Sequence, residues 1–135
     1  MATVLLVDDD EHTRSVLRRR LDTAGHLVVE AVSAESALAS VAQAVPDVVL
    51  TDLRLPGQSG EQLIARLREA HRDVRVIAIS GAPERLAALD AEGAGVLLLP
   101  KPFTTEQLNS AIEGAIRPAP RSFISRLLRF WTGDA

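Results

Sequence analysis

The chain has 135 residues, a formal net charge of −3 and no cysteine. That size fits one domain, and the missing thiols exclude disulfides and thiolate metal sites. No stretch approaches the ~18 apolar residues of a membrane span, and the opening MATVLLVDDD reaches acid too soon for a secretory signal, so a cytoplasmic location is expected. The charge is unevenly spread: residues 1–117 carry 12 basic and 17 acidic side chains, whereas 118–135 carry Arg121, Arg126 and Arg129 against Asp134 alone. An acidic body argues against nucleic-acid binding by residues 1–117.

In chain order, the first apolar run, TVLLVD (3–8), ends on Asp8 and Asp9. Val16, Leu17, Leu21 and Ala24 then form a helical stripe that stops at Gly25. LVVEA (27–31) is the second run and reads as an edge strand; Ser33 caps a helix carrying Ala37, Leu38, Val41 and Ala42. DVVLTD (47–52) is apolar until Asp52 and meets the turn residues Pro56 and Gly57 shortly afterwards. Leu63, Ile64 and Leu67 make the third helical stripe. VRVIAIS (74–80) ends on Ser80, and Pro83 opens a short helix with Leu86 and Leu89. VLLL (96–99) runs into Lys101, after which Thr104 and Gln107 form a capping box before Leu108, Ile112 and Ile116.

Most of these runs are continuously apolar rather than alternating, the pattern of parallel strands covered on both faces. Five strand–helix repeats predict a doubly wound α/β sheet with right-handed crossovers. The first-domain boundary is expected at residue 117, because RPAPR (117–121) breaks the last helix and stiffens the exit. Residues 118–135 form the remaining hinge and tail.

Ligands of open α/β sheets bind beyond the carboxyl ends of the strands. Those ends carry Asp8, Asp9, Asp52, Ser80 and, just beyond the fifth, Lys101. Two like charges ~4 Å apart repel by about 4 kcal/mol at an effective dielectric of 20, so clustered carboxylates either protonate or recruit a cation. Oxygen ligands without His or Cys select Mg²⁺, with Mn²⁺ as a substitute. Such a metal normally serves phosphate chemistry, for which Lys101 adds charge and Ser80 a donor. Asp52, between metal and ammonium, is placed to act as a nucleophile and become an acyl phosphate. His12, His26 and His71 have no ligand spacing and read as surface residues. Asp10 and Glu11 read as first-turn helix residues favoured by the helix dipole.

LLVDDDE, VVLTDLRLPGQSG, VIAISG and LPKPF, in this order, make the chain resemble the receiver domain of two-component response regulators over residues 3 to about 117. The resemblance implies a flavodoxin-like fold with strand order 2-1-3-4-5. It implies Asp52 as phosphoacceptor, Asp9 as a direct Mg²⁺ ligand, Asp8 as a ligand through water and the Arg54 backbone carbonyl as another. Ser80 becomes the hydroxyl switch and Lys101 the ionic partner of the phosphoryl group, with a cis Lys101–Pro102 bond. The implied donor is a histidine kinase or a histidine phosphotransfer domain, and the domain itself only transfers the group and hydrolyses it slowly. The chain departs from the family at Leu98, where an aromatic often stands and reports phosphorylation. Arg54 and Ala82 occupy the positions that tune phosphoryl lifetime, and this pair points to a long-lived phosphorylated state.

The tail has its own signature. At 100° per residue, Phe123, Ile124, Leu127, Leu128, Phe130 and Trp131 fill one side of a helix, and Ser122, Ser125, Arg126 and Arg129 the other. A helix of about ten residues is marginal in water without a surface to bury against. That surface is expected to be the chain's own domain, a second copy, a partner protein or, less favoured, anionic lipid. Eighteen residues leave no room for a DNA-binding output domain, so a single-domain regulator acting through a protein contact is expected. The rival readings are a phosphorelay carrier using the same site and a constitutive interaction module working through its tail. A dehalogenase-type phosphatase normally needs a second Asp where Arg54 stands.

Overall fold

A computed structural model describes residues 1–92 and 95–116. Five strands, β1 (Thr3–Val7), β2 (Leu27–Ala31), β3 (Val48–Asp52), β4 (Arg75–Ser80) and β5 (Leu97–Pro100), alternate with five helices, α1 (Glu11–Thr23), α2 (Ala34–Gln43), α3 (Gly60–Ala70), α4 (Pro83–Glu92) and α5 (Thr105–Ile116). The strands are all parallel, in the order β2-β1-β3-β4-β5. The expected doubly wound order is therefore the observed one, with the strand order reversing beside β1.

The period of two along each strand divides the core into two layers. Leu5, Val7, Val49, Val76 and Ala78 face a cluster with Ala37, Val41, Leu63, Leu67 and Leu86 from α2, α3 and α4. Val4, Leu6, Leu50, Ile77 and Ile79 face the other cluster with Leu17, Leu21, Leu108 and Ile112 from α1 and α5. Central strands need apolar residues on both faces, which explains their unbroken runs. The edge strands are the exceptions, with Leu27 56% and Val29 45% exposed on β2 and Leu97 40% exposed on β5.

The helix ends follow local chemistry. Ser33 and Ser59 each close a capping box, with Ser36 and Gln62 respectively. Thr104 and Gln107 exchange the bonds expected of them, at 2.8 and 3.1 Å. Asp10 stands one position earlier than its sequence reading: it is the N-cap of α1, accepting the Thr13 backbone N–H at 2.9 Å. Gly25 takes a φ of 89° just after α1, a conformation that a Cβ penalises. The α1 stripe is narrower than its sequence pattern. Leu17 and Leu21 are buried, whereas Val16 and Ala24 are exposed; on the other flank of the stripe Arg14 and Arg18 pair with Glu30 of β2. In α2, Ala42 is likewise exposed.

Gly60, the first residue of α3, lies hard against the end of β3. A Cβ there would sit 2.5 Å from the Asp52 carbonyl oxygen and 2.6 Å from the Leu53 Cα. The Gly60 N–H donates to the Leu53 carbonyl at 2.9 Å, so the helix start and the strand end form one rigid corner. Gly60→Ala is expected to cost about 1–3 kcal/mol, the usual penalty of overpacking a corner that cannot move. Urea unfolding checks this; a midpoint unchanged from wild type contradicts the rigid-corner account.

Candidate functional site at the carboxyl ends of the strands

Strand register builds the site before any side chain is considered. Val7 pairs with Thr51, Asp52 with Ile79 and Ser80 with Pro100. The residues that follow or end these strands, Asp8, Asp52, Ser80 and Lys101, therefore line up along one rim. Adjacent strands lie about 4.8 Å apart, so Lys101 on the far side of β4 must reach across roughly 10 Å of sheet to meet Asp52. A lysine has the length for this, and Ser80 on the intervening strand is short enough to leave the path open. The reach is made: Lys101 Nζ lies 2.8 Å from Asp52 Oδ2.

The other Asp52 oxygen, Oδ1, accepts the Arg54 backbone N–H at 2.8 Å. Asp52 is thus held from both ends while remaining 8% exposed. Ser80 Oγ accepts the Ala82 N–H at 2.9 Å, which leaves its own proton free to be donated. Asp52, Arg54, Ser80, Ala82 and Lys101 line one cleft of about 280 Å³, together with Gly81 and Arg85.

Asp8 is buried, its Oδ1 accepting the Asp10 N–H at 2.9 Å. Burial pushes its carboxyl above the usual value, the charges of Asp52 and Asp9 push the same way, and the Asp10 N–H and Lys101 only partly offset them. Asp9 is exposed. Among the described residues, no three His, Asp or Glu side chains gather closely enough to form a ready cage for a metal ion. Asp52 is paired with Lys101, and Asp9 is the exposed member of the trio. The donor chemistry nonetheless fits a hard cation: an ionisation-resisting Asp8 beside Asp52 is a place where a divalent ion relieves repulsion.

One residue at this site carried no clear sequence signal. Arg85, in the first turn of α4, donates to both Glu61 carboxylate oxygens, at 2.7 Å from Nε and 2.5 Å from Nη2, and to the Leu53 carbonyl at 2.8 Å. It ties α4 to the first turn of α3 and to the residue after Asp52. The available clue was positional: a cation five residues beyond a strand-end Ser, on a helix opening onto the same rim. Away from the site, at the amino end of the sheet, His26 is also more than a surface residue, since Nδ1 accepts the Ala2 N–H at 3.1 Å. Leu98 and Pro102 belong elsewhere; both line a groove beside α5, and the Lys101–Pro102 bond is cis. Phe123, Ile124, Leu127, Phe130 and Trp131 lie outside the described residues.

A five-stranded parallel sheet with an aspartate–lysine pair across the carboxyl ends of β3 and β5 defines a doubly wound α/β domain with a site suited to phosphoryl chemistry. Residues 4–113 match the family model of the response regulator receiver domain, and the chain belongs to that family. It is 34% identical over 116 residues to the DNA-binding transcriptional regulator NtrC of Azospirillum brasilense, covering 85% of this chain and 24% of that protein. With the C4-dicarboxylate transport transcriptional regulatory protein DctD of Pseudomonas aeruginosa it shares 35% identity over 127 residues, 93% of this chain and 28% of that one. The chain thus spans about a quarter of the length of these relatives. Among solved structures, a response regulator receiver domain protein from Clostridium thermocellum superimposes with a TM-score of 0.79 at 28% identity, covering 86% of this chain and 94% of that one. The chemotaxis response regulator CheY4 of Vibrio cholerae gives 0.74 at 27% identity, covering 85% and 98%. Among the described residues, no helix is long and apolar enough to cross a membrane.

The Glu61–Arg85 pair makes a pH prediction. Burial alone would raise the Glu61 carboxyl, but the Arg85 hydrogen bonds outweigh it and hold the group below its ordinary 4.5. A lowered folded value means stabilisation that is full above the ordinary value and lost as pH falls through the folded one. Wild type should exceed Glu61→Gln in stability by about 0.5–1 kcal/mol at neutral pH, a discounted figure for a partly exposed pair. The gap should close below pH 4.5 in urea titrations; a gap constant with pH contradicts the ionic account.

Proposed function

We propose that Asp52 is the phosphoacceptor of a phosphorylation-dependent switch, fed by a phosphohistidine in a histidine kinase or phosphotransfer domain and acting through a protein contact. The observation that carries this is the 2.8 Å Lys101–Asp52 ion pair, formed between residues 49 positions apart. Nothing in the packing of the sheet requires a lysine to cross β4 to reach a carboxylate. A site that must neutralise an arriving phosphoryl group does require it.

In this reading, an Asp52 carboxylate oxygen attacks phosphorus, the new O–P bond forms as the P–N bond to the donor imidazole breaks, and the imidazole leaves with the bonding electron pair and takes a proton. The Arg54 N–H steadies the nucleophile, and Lys101 neutralises charge on the transferred group. The free Ser80 proton turns towards a phosphoryl oxygen, exchanging one local contact for one that exists only after transfer. Asp8, Asp9, Asp52 and the Arg54 carbonyl would hold Mg²⁺, or Mn²⁺ in its place; when bound, the ion supplies charge neutralisation for the transferring phosphoryl group. Ala82 offers no group to orient an attacking water, and exposed Arg54 lines the cleft mouth, which supports a long-lived acyl phosphate. Residues 1–117 act as the receiver unit and 118–135 as a hinge and interaction segment, in a cytoplasmic protein.

Acetyl phosphate with Mg²⁺ should add a phosphoryl group to the wild-type chain, and Asp52→Asn should abolish the gain in intact mass. EDTA should abolish labelling as well. Lys101→Ala should still be labelled in part but lose the change in hydrogen exchange along α4 and β5 that labelling brings to wild type. Labelling of Asp52→Asn at the wild-type level overturns the assignment. A wild-type acyl-phosphate lifetime of only seconds overturns the claim of persistence, and return of the label to a phosphotransfer histidine identifies a relay carrier instead.

A further inference from the structure

The cleft that holds Asp52 is lined by three cationic residues, Arg54, Arg85 and Lys101, around a single carboxylate. Lys101 is engaged with Asp52 Oδ2, and Arg54 is exposed. Arg85 differs from both, because its side chain is 31% exposed and moored at three points. Nε donates to Glu61 Oε2 at 2.7 Å, while Nη2 donates to Glu61 Oε1 at 2.5 Å and to the Leu53 carbonyl at 2.8 Å. Among the described residues, Nη1 has no partner. The guanidinium is thus fixed beside the residue that follows Asp52, with donors still unengaged. The Glu61 hydrogen bonds hold it above its ordinary pKa and the Asp52 charge pushes the same way, so Arg85 lies within the field of Asp52.

We propose that Arg85 is a further phosphoryl-binding residue, held back by Glu61 and released to a phosphoryl oxygen once Asp52 is modified. This role rests on Asp52 as the phosphoacceptor and deepens that reading. Charge balance calls for it. Before transfer, the Asp52 carboxylate faces one ammonium. An acyl phosphate in its place carries close to two negative charges and additional acceptor oxygens. Lys101 neutralises one charge, and Asp8 and Asp9 already balance the divalent cation they would hold. The remaining charge needs another cation, and a guanidinium fork matches phosphoryl oxygens better than a point charge does. Position favours Arg85 over Arg54: it is already ordered beside Leu53, so little side-chain freedom is lost in engaging the group. Glu61 has the complementary task. By occupying the guanidinium before transfer, it keeps Arg85 from neutralising the nucleophile. Glu61 and a phosphoryl oxygen therefore compete for one cation, and since Glu61 lies on α3 and Arg85 on α4, the exchange also unties the two helices. Removing the Glu61 charge should weaken the fold yet strengthen phosphoryl binding, a combination that a merely structural ion pair does not produce.

Beryllofluoride, a phosphoryl mimic that attaches to a carboxylate in the presence of Mg²⁺, separates binding from transfer. Its affinity for the full chain is read by titration calorimetry in about 0.5 M potassium chloride, which screens long-range charge effects. Arg85→Ala should weaken binding roughly ten-fold, the loss of one charge-assisted hydrogen bond. Arg85→Gln serves as the second variant should circular dichroism show that the first has lost its fold. Glu61→Gln should tighten binding several-fold, and should have no effect once Arg85 has been replaced. Wild-type affinity in a folded Arg85 variant overturns the proposal. So does a Glu61→Gln effect that persists without Arg85, or one that weakens binding. Asp52→Asn distinguishes the two levels of failure. Binding that is lost in Asp52→Asn but indifferent to Arg85 removes the Arg85 role alone. Binding that Asp52→Asn retains, or that wild type lacks, removes the phosphoacceptor and the Arg85 role together.

Discussion

The constraint on which everything else rests is the parallel register of the three central strands and β5. Because Val7 pairs with Thr51, Asp52 with Ile79 and Ser80 with Pro100, four elements terminate at one level and deliver their next polar residue to one rim. A slip of one residue in any of these pairings would invert the faces of that strand, burying polar ends and exposing core residues. Burial of Leu50, Ile77 and Val49 with no exposed area therefore does two things: it fixes the fold and it aims the site. The Gly60 corner adds the last restraint, locking the Asp52 carbonyl under the start of α3.

Electrostatics at that rim follow from position. Asp8 and Asp52 lie side by side at the ends of neighbouring strands, and the low exposure that orders them also makes their charges costly. The protein answers unevenly. Asp52 receives an ammonium and a backbone N–H, whereas Asp8 receives one N–H and is left with a raised carboxyl. The helix starts nearby give little help, since Asp10 and Ser59 already cap α1 and α3 from their own side chains. What remains is a site whose anionic half lacks a counter-charge and whose cationic half is already engaged, a division suited to receiving a cation and an anion together.

Much of this was legible in the chain itself. Unbroken apolar runs ended by Asp, Ser or a nearby Lys gave both the strands and the rim, because parallel strands advertise two-sided burial and their polar residues have nowhere to sit but the ends. Less legible was whatever depended on which side of a helix meets which neighbour. Val16 reads as core by period, yet it is exposed, because the buried stripe of α1 narrows to Leu17 and Leu21. Arg85 carries no local signal, yet it bridges Glu61 and the Leu53 carbonyl, partners 24 and 32 residues away that no local pattern connects to it. Spacing along the chain says that Asp8, Asp9 and Asp52 share a rim, but not that Asp9 is exposed while Asp8 and Asp52 are buried. The segment Phe123 to Trp131 advertises a hydrophobic face without naming what covers it.

The β2 edge carries a further implication. Its free side presents Leu27 and Val29 to water, a short apolar ribbon of the kind that templates the strands of other molecules. Glu30, on the opposite face of β2, is held by Arg14 and Arg18 from α1. Arg14 also donates to the Asp8 carbonyl at 2.9 Å, so the same arginine ties this edge strand to the rim of the site.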